Sequence, residues 1–203
     1  MSHTPFTTLG GTLTIDFLNT LQMQQGQRVD LLQTSEDVNR WLDLMVASQK
    51  LVPLQKAQLV RGPGFFMDQL REFRLDCRTF LQMHQPFEQM ASWMAGFVDQ
   101  SPLTFRIDAH DGVVTIPIKG ATAGLLSLLA YDWLKLKKID YHSIRQCENA
   151  HCMAYFLNSS GRRKWCAMET CGNRQKSYRH YRKIKEDSYT RVRATHSHPT
   201  NAC

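Results

Sequence analysis

The chain has 203 residues, of which 42% are hydrophobic and 21% are charged, and these proportions exclude a disordered or fibrous class. Its net charge of +7 is concentrated at one end, because residues 1–140 contain 13 Lys and Arg against 14 Asp and Glu, whereas residues 141–203 contain 12 against 4. A nearly neutral body with a basic C-terminal part favours a polyanionic partner, and nucleic acid is the first candidate.

The sequence predicts neither a membrane protein nor a secreted one. The N-terminal residues show no basic segment followed by an apolar core and a cleavage site, so no secretory signal is expected. The most apolar stretch, residues 123–138, is interrupted by Asp132 and falls short of the roughly 20 apolar residues of a membrane span. We therefore expect a cytoplasmic protein.

The N-terminal body is predicted to be mostly helical. Residues 10–22, "GGTLTIDFLNTLQ", fit either a short strand or the start of a helix. A helix is predicted from Thr34 or Ser35 onwards, where a cap precedes acidic residues and an apolar face. Apolar residues then recur at steps of three and four over residues 66–84, which should form the longest helix, and again over residues 87–97.

The apolar period changes to two over residues 103–118, and the central "HDG" predicts a β-hairpin. Helical spacing returns from Leu125 to Leu136, and the body is expected to end near residue 140. The predicted class is therefore α+β. It consists of a mostly helical N-terminal domain with one β-hairpin, for sensing or self-association, then a small zinc-bound hairpin and helix at 141–187, and a mobile tail at 188–203.

Four cysteines form two pairs, with four residues inside each pair and thirteen between the pairs: Cys147, Cys152, Cys166 and Cys171. Cysteine pairs at short spacing in a cytosolic chain bind metal more often than they form disulfides. Zinc prefers a tetrahedron of thiolates, and four thiolates leave no position open for water. The sequence therefore predicts one structural Zn²⁺, with His151 and His180 as less suitable alternative ligands.

Strand-like segments "MAYFLN" and "RRKWC", joined by "NSSG", predict a metal-bound hairpin between the two cysteine pairs. A basic helix is predicted from Asn173 onwards. One arc of this helix and the preceding loop carry the candidate nucleic-acid contacts, which are Arg162, Arg163, Lys164, Lys176, Arg179, Arg182 and Lys183.

Tyr178 and Tyr181 fall on the other arc of this helix and are expected to pack in a core. DNA is the favoured partner. RNA is the alternative, because aromatic residues mixed with arginines also suit stacking on unpaired bases. A basic face that only keeps the protein soluble is the other interpretation.

The pattern C-x4-C-x13-C-x4-C ending in "CGNR" resembles the CGNR zinc finger family of bacterial proteins. Upstream, "LTIDFLNT" and "VDLLQTSEDVNRWL" resemble the ABATE domain of stress-induced transcription regulators. The resemblance implies a cytosolic bacterial DNA-binding regulator in which the four cysteines are the zinc ligands. Arg174, in the namesake motif, would either contact phosphate or brace its own module.

A different class of function would place an enzyme or a small-molecule site in the body. The "DFLNT" segment offers Asp16, Asn19 and Thr20 as a candidate ligand pocket, and the hairpin turn offers His110 and Asp111. No combination of these residues specifies a reaction, and helix capping and turn chemistry explain them better. We therefore expect no enzyme, while a small-molecule effector and a homodimer remain open.

Overall fold

A computed structural model of the protein describes residues 5–195, except for the side chains of Arg179, Lys183 and residues 187–195. The chain divides into two compact units, Met1–Cys166 and Ala167–Cys203. This division falls after Cys166, whereas the sequence analysis places a domain boundary at residue 140. The mixture of helices and short two-stranded sheets confirms the predicted α+β class.

The "DFLNT" segment is helical, which decides between the two interpretations of residues 10–22. Helix α1 spans Leu13–Leu18 and is buried throughout, and the hydroxyl of Thr12 caps it by accepting a hydrogen bond from the Ile15 amide at 3.2 Å. Strands β1 (Leu21–Gln24) and β2 (Gln27–Asp30) follow as an antiparallel hairpin.

This first hairpin was not predicted, so the expectation of one hairpin in the body was wrong. Its strands have only four residues each: β1, "LQMQ", alternates over too short a run to be distinctive, and β2, "QRVD", contains a single apolar residue. The turn between the strands has positive φ angles at Gln25 and Gly26. Two adjacent positive φ angles are typical of the tight turns that match the twist of a hairpin.

Four helices follow, at Ser35–Ala47 (α2), Pro53–Leu59 (α3), Met67–Gln82 (α4) and Phe87–Gln100 (α5). Their apolar faces confirm the predicted helices, while α3 is too short for its period to have been recognised. Helix α2 begins with a capping box between Thr34 and Asp37, as its sequence indicates.

The predicted hairpin at residues 103–118 is confirmed. Strands β3 (Leu103–Asp108) and β4 (Gly112–Pro117) pair antiparallel, with Leu103 opposite Pro117. Helices α6 (Ala121–Leu134) and α7 (Lys138–Ser143) complete the body. Across the described residues, no helix combines the length and the hydropathy needed to cross a membrane.

The core of the body forms around helices α1 and α6. Leu125, Leu129 and Trp133 of α6 are fully or almost fully buried. Phe17 of α1 makes edge-on contacts with Trp41, with ring centroids 5.6 Å apart, and with Phe73 at 6.0 Å. Each such side chain contributes about 1.5 to 3 kcal/mol on burial.

The C-terminal part contains strands β5 (Ile144–Gln146) and β6 (Tyr155–Leu157), a π-helical turn (Met168–Gly172) and helix α8 (Asn173–Thr195). Strand β6 pairs with β5, so the predicted pairing of "MAYFLN" with "RRKWC" was wrong. After "NSSG" the side chain of Asn158 accepts a hydrogen bond from the amide of Arg163 at 3.1 Å and donates one to its carbonyl at 2.9 Å, and the carbonyl of Lys164 accepts from the Glu148 amide at 2.9 Å.

Helix α8 has 23 residues and is the longest in the described part of the chain, so the prediction that residues 66–84 form the longest helix was wrong. It continues to Thr195, into the segment predicted as a mobile tail, and residues 196–203 of that segment lie outside the described residues.

Candidate metal centre

The first cysteine pair lies in the loop between β5 and β6. The amide of Cys147 donates to the carbonyl of Ala154 at 2.9 Å, and the amide of Cys152 donates to the carbonyl of Asn149 at 2.9 Å. The buried side chain of Asn149 also accepts a hydrogen bond from the His151 amide, again at 2.9 Å. These bonds turn the loop back on itself, so the two thiols come together.

The second pair follows at the other end of the module. Cys166 is buried and comes at the end of the segment held by Asn158, and Cys171 is buried in the π-helical turn before α8. A π-helical turn is wider than an α-helical one and is common at functional sites. Here the amide of Gly172 donates to the carbonyl of Ala167, five residues earlier, at 3.0 Å.

The four thiols meet in one cluster, as the spacing predicts. The sulfurs of Cys147, Cys152, Cys166 and Cys171 all lie within 4.8 Å of one another, and those of Cys152 and Cys166 are 3.8 Å apart. Sulfurs placed tetrahedrally around zinc at about 2.3 Å are separated by about 3.8 Å. The cluster therefore fits one structural Zn²⁺ with four thiolate ligands.

The thiols influence one another's ionisation. Hydrogen bonds from Cys152 and Cys166 lower the pKa of Cys147, whereas the pKa of Cys152 is raised, chiefly by its hydrogen bond to Cys147. The pKa of Cys166 is also raised, chiefly by its hydrogen bonds to Cys147 and Cys152. One thiolate is thus favoured and further ones are opposed, and a divalent cation is the partner that stabilises all four.

Arg163, a predicted nucleic-acid contact, is engaged inside the module. Its guanidinium lies 4.6 Å from the centroid of the Phe156 ring and donates a hydrogen bond to the carbonyl of Cys166. Stacking of a guanidinium on an aromatic ring is favourable and holds the plane in place. Arg163 therefore braces the chain at a metal ligand.

Six of the predicted nucleic-acid contacts have exposed side chains, and one of them is Arg163. We use the name basic surface for the set of the other five: Arg162, Lys164, Arg174, Lys176 and Arg182. Lys164 lies 3.9 Å from Glu148 and Arg182 lies 3.2 Å from Glu186, both in exposed pairs. Exposed ion pairs are weak and screened by salt, so they do not prevent other contacts. The side chains of Arg179 and Lys183 lie outside the described residues.

Two neighbouring residues of the CGNR motif, Asn173 and Arg174, have different surroundings. Asn173 donates from its side chain to the carbonyl of Glu169 at 3.2 Å and so braces the π-helical turn. The side chain of Arg174, the next residue, is exposed. Tyr178 and Tyr181, expected in a core, are 57% and 64% exposed, so that expectation was wrong.

The residues predicted as a ligand pocket are buried and have partners within the protein. Asp16 accepts a hydrogen bond from the Gly10 amide at 2.6 Å and pairs with Lys50. Thr20 donates to the carbonyl of Phe17 at 2.6 Å. Asn19 bonds the backbone of Tyr155.

Two surface depressions are described in the body, of about 400 and 440 Å³, and both are lined by other residues, including Arg61. In the hairpin turn, the amides of His110 and Asp111 both donate to the carboxylate of Asp108. Hydrogen bonding within the turn therefore explains His110 and Asp111, the second set of residues considered as an enzyme site.

Two arginines on α4 were not recognised from the sequence. Arg74 is buried and donates to the hydroxyl of Thr20 at 2.7 Å and to Asp30. Arg78 is buried one turn later and bonds two backbone carbonyls. The sequence did contain a signal that they are buried, because the two arginines are four residues apart and lie beside the apolar face of α4.

Two family models match the chain. The model described as "CGNR zinc finger" matches residues 143–183, and the ABATE model, described as "Putative stress-induced transcription regulator", matches residues 11–136. No curated protein matches the chain, and no solved structure matches it. Both resemblances stated from the sequence are confirmed, and the ABATE match covers more than half of the chain. The chain therefore belongs to the ABATE family, with a CGNR zinc finger after its ABATE domain.

Proposed function

We propose that this protein is a zinc-dependent, DNA-binding transcription regulator. The proposal rests chiefly on the concentration of positive charge after residue 140, which is exposed in the basic surface, whose residues come before Cys166 or after Cys171 along the chain. The family description supports a regulator. It also suggests a stress response, and we propose the same role here, in the cytoplasm of a bacterium and on its nucleoid.

DNA affinity would come mainly from phosphate contacts. Each phosphate that Lys or Arg neutralises releases condensed counterions, and five contacts give a log-log salt slope of about −4 to −5 on duplex DNA. The basic surface supplies five exposed cations. Binding should therefore be strong at low salt and weak at high salt.

Sequence recognition by one such module would be limited. Base edges are read by only a few side chains, and each recognised base pair contributes about 1 to 3 kcal/mol. The side-chain amide of Asn173, a group that could address a base edge, already donates to the carbonyl of Glu169. We propose that the body adds self-association or an effector response, so that two modules act on one site.

The role proposed for zinc is to fix the backbone that carries these cations. Arg162 and Lys164 precede Cys166, and Arg174 and Lys176 follow Cys171. Binding of one ion by all four cysteines therefore restrains the chain between these two groups of cations. Metal binding supplies on the order of 10 kcal/mol or more in zinc-finger peptides, so metal removal should abolish DNA binding.

The test is fluorescence anisotropy of the zinc-loaded protein on a mixed-sequence duplex over a salt series. The variant Arg162→Ala/Lys176→Ala/Arg182→Ala should bind at least tenfold more weakly and have a salt slope smaller by about 3, because three phosphate contacts are removed. A matched control with the same charge change in the body replaces three exposed cations, Arg28, Arg106 and Lys137, with alanine. Equal weakening of both variants would contradict a specific basic surface.

RNA is the second candidate, and the exposure of Tyr178 and Tyr181 favours it. Exposed aromatic rings among arginines can stack on unpaired bases, at about 1 to 3 kcal/mol for each base. A competition between duplex DNA and structured RNA, with wild type and Tyr178→Ala/Tyr181→Ala, separates the candidates. Preferential loss of RNA binding in the variant would select RNA, whereas a variant with unchanged duplex affinity and a duplex preference would select DNA.

A further inference from the structure

We propose that four residues of the body hold strand β6, so that the first half of the metal site is assembled before metal binds. We call these residues, Gly10, Asp16, Asn19 and Arg78, the β6 seat. The proposal gives a role to the "DFLNT" segment, which the proposed function does not use.

Asn19 makes a two-point contact with β6. Its side-chain amide donates to the carbonyl of Tyr155 at 2.9 Å, and its side-chain oxygen accepts from the Tyr155 amide at 2.8 Å. Asn19 is only 2% exposed, and it follows the last residue of α1. Two bonds to both polar groups of one residue imitate strand pairing and fix the position of β6, which begins three residues after Cys152.

Arg78, on α4, bonds both the end of α1 and the cysteine loop. Its guanidinium donates to the carbonyl of Leu18 at 3.1 Å and to the carbonyl of Met153, next to Cys152, at 2.7 Å. It also lies 4.8 Å from the centroid of the Tyr155 ring. Arg78 is 3% exposed, and burial lowers its pKa to about 10, so it remains charged at neutral pH.

Gly10 and Asp16 hold the far end of β6. The carbonyl of Gly10 accepts from the amide of Leu157 at 3.1 Å, and the carboxylate of Asp16 accepts from the Gly10 amide at 2.6 Å. A Cβ atom on Gly10 would lie 2.6 Å from Ile15, so only glycine fits this approach. The start of the body therefore runs beside β6.

None of these bonds involves a thiolate, so they do not require the metal. They hold β6, β6 pairs with β5, and the first cysteine pair lies in the loop between these strands. A loop that is ordered beforehand costs less conformational entropy when it binds a ligand. The β6 seat should therefore raise metal affinity above that of a module that must order both pairs.

Hydrogen exchange of the full-length protein, with zinc and after chelation, tests the proposal directly. In the metal-free protein we expect the amides of Tyr155 and Leu157 to stay protected. Two amides that adjoin the cluster, Glu148 bonded to Lys164 and Gly172 bonded to Ala167, should lose protection. Equal loss at Tyr155, Leu157 and Glu148 would overturn the proposal, whether or not the rest of the body stays folded.

Metal affinity gives the second test, by competition with a chromogenic zinc chelator. Asn19→Ala and Arg78→Lys should each weaken zinc binding by about tenfold, the low end of effects at outer-shell partners. Ser127→Ala is the matched control, because Ser127 is a buried hydroxyl that donates to the carbonyl of Ser101 at 2.7 Å, away from the cysteine loop.

The control should lose stability but keep its zinc affinity. If Asn19→Ala and Arg78→Lys bind zinc as tightly as Ser127→Ala does, the four residues have only a structural role and the proposal is wrong. Neither measurement uses nucleic acid, so failure of the proposed DNA binding would leave this result intact.

Discussion

The helical body and helix α8 differ in how far their side chains are buried. In the body, large side chains such as Trp41, Phe17 and Leu129 are completely buried, and this burial supplies the stabilising free energy. Along α8, no side chain that the structure describes is buried, and Tyr178, Tyr181 and Ile184 are more than half exposed. Because the described side chains of α8 form no core of their own, we expect this helix to depend on its attachment at the metal centre.

Metal removal should have the largest effect. It should destabilise the region around the metal centre and leave the helical body folded. Chelation should remove a stabilisation on the order of 10 kcal/mol from the residues around Cys166 and Cys171. The body should keep its helical circular dichroism and its cooperative melting. Amide chemical shifts that stay unchanged around Cys171 after complete zinc removal would contradict this separation.

A matched pair of cysteine variants sharpens the same comparison. Cys171→Ala should bind far less than one zinc per chain, since three thiolates leave an open coordination position. Cys77→Ala, in the apolar core of α4, should retain one zinc per chain and lose about 1 to 3 kcal/mol of body stability. Metal analysis of the two purified proteins measures the difference, and equal zinc contents would exclude Cys171 as a ligand.

Large aromatic residues should behave oppositely in the two regions. Trp41→Ala should cost about 3 to 5 kcal/mol of unfolding free energy, because it leaves a cavity in the core. Tyr178→Ala should change that free energy by less than about 0.5 kcal/mol, since its side chain is exposed. Urea unfolding followed by circular dichroism measures both, and a cost above about 2 kcal/mol for Tyr178→Ala would show that α8 is packed in solution.

A smaller effect concerns the charges inside the body. Burial alone would raise the pKa of Asp30, but hydrogen bonds from Arg74, the Leu32 amide and Arg71 outweigh it and lower that pKa. A carboxylate with a lowered folded-state pKa stabilises the protein above the unfolded value of about 4, and this contribution disappears as the pH falls through the folded-state pKa. Asp30→Asn should cost about 1 to 3 kcal/mol at neutral pH.

This cost should begin to shrink as the pH falls below about 4, because the carboxyl of the unfolded wild-type chain then binds a proton, and it should continue to shrink as the pH approaches the lowered folded-state pKa. Urea unfolding of both proteins between pH 3 and 7 provides the measurement. A cost that stays constant over this range would show that the charge of Asp30 contributes nothing.

Patterns over a few neighbouring residues were enough to predict the main helices, one hairpin and the metal site. The helical periods of α2, α4, α5 and α6, the capping residue Thr34 and the turn of the β3–β4 hairpin all act over a few positions. The spacing of the cysteines predicted the metal site for the same reason, since short loops bring each pair together.

Contacts between distant segments could not be read from such patterns. The second strand of the finger hairpin depends on what residues 162–166 meet: they bond the Asn158 side chain and the Glu148 amide, whereas β6 pairs with β5. Asn19 contacts Tyr155, 136 residues later, and nothing in the "DFLNT" segment indicates that partner. The exposure of Tyr178 was missed because a helical period shows which residues share a face, but not whether anything covers it.

The most direct test of zinc-dependent DNA binding is one titration of a mixed-sequence DNA duplex with zinc-loaded and with metal-free protein, repeated over a salt series. We expect binding by the zinc-loaded protein with a log-log salt slope of about −4 to −5, and loss of that binding after chelation. Equal binding with and without zinc, or no binding by the zinc-loaded protein at low salt, would contradict it.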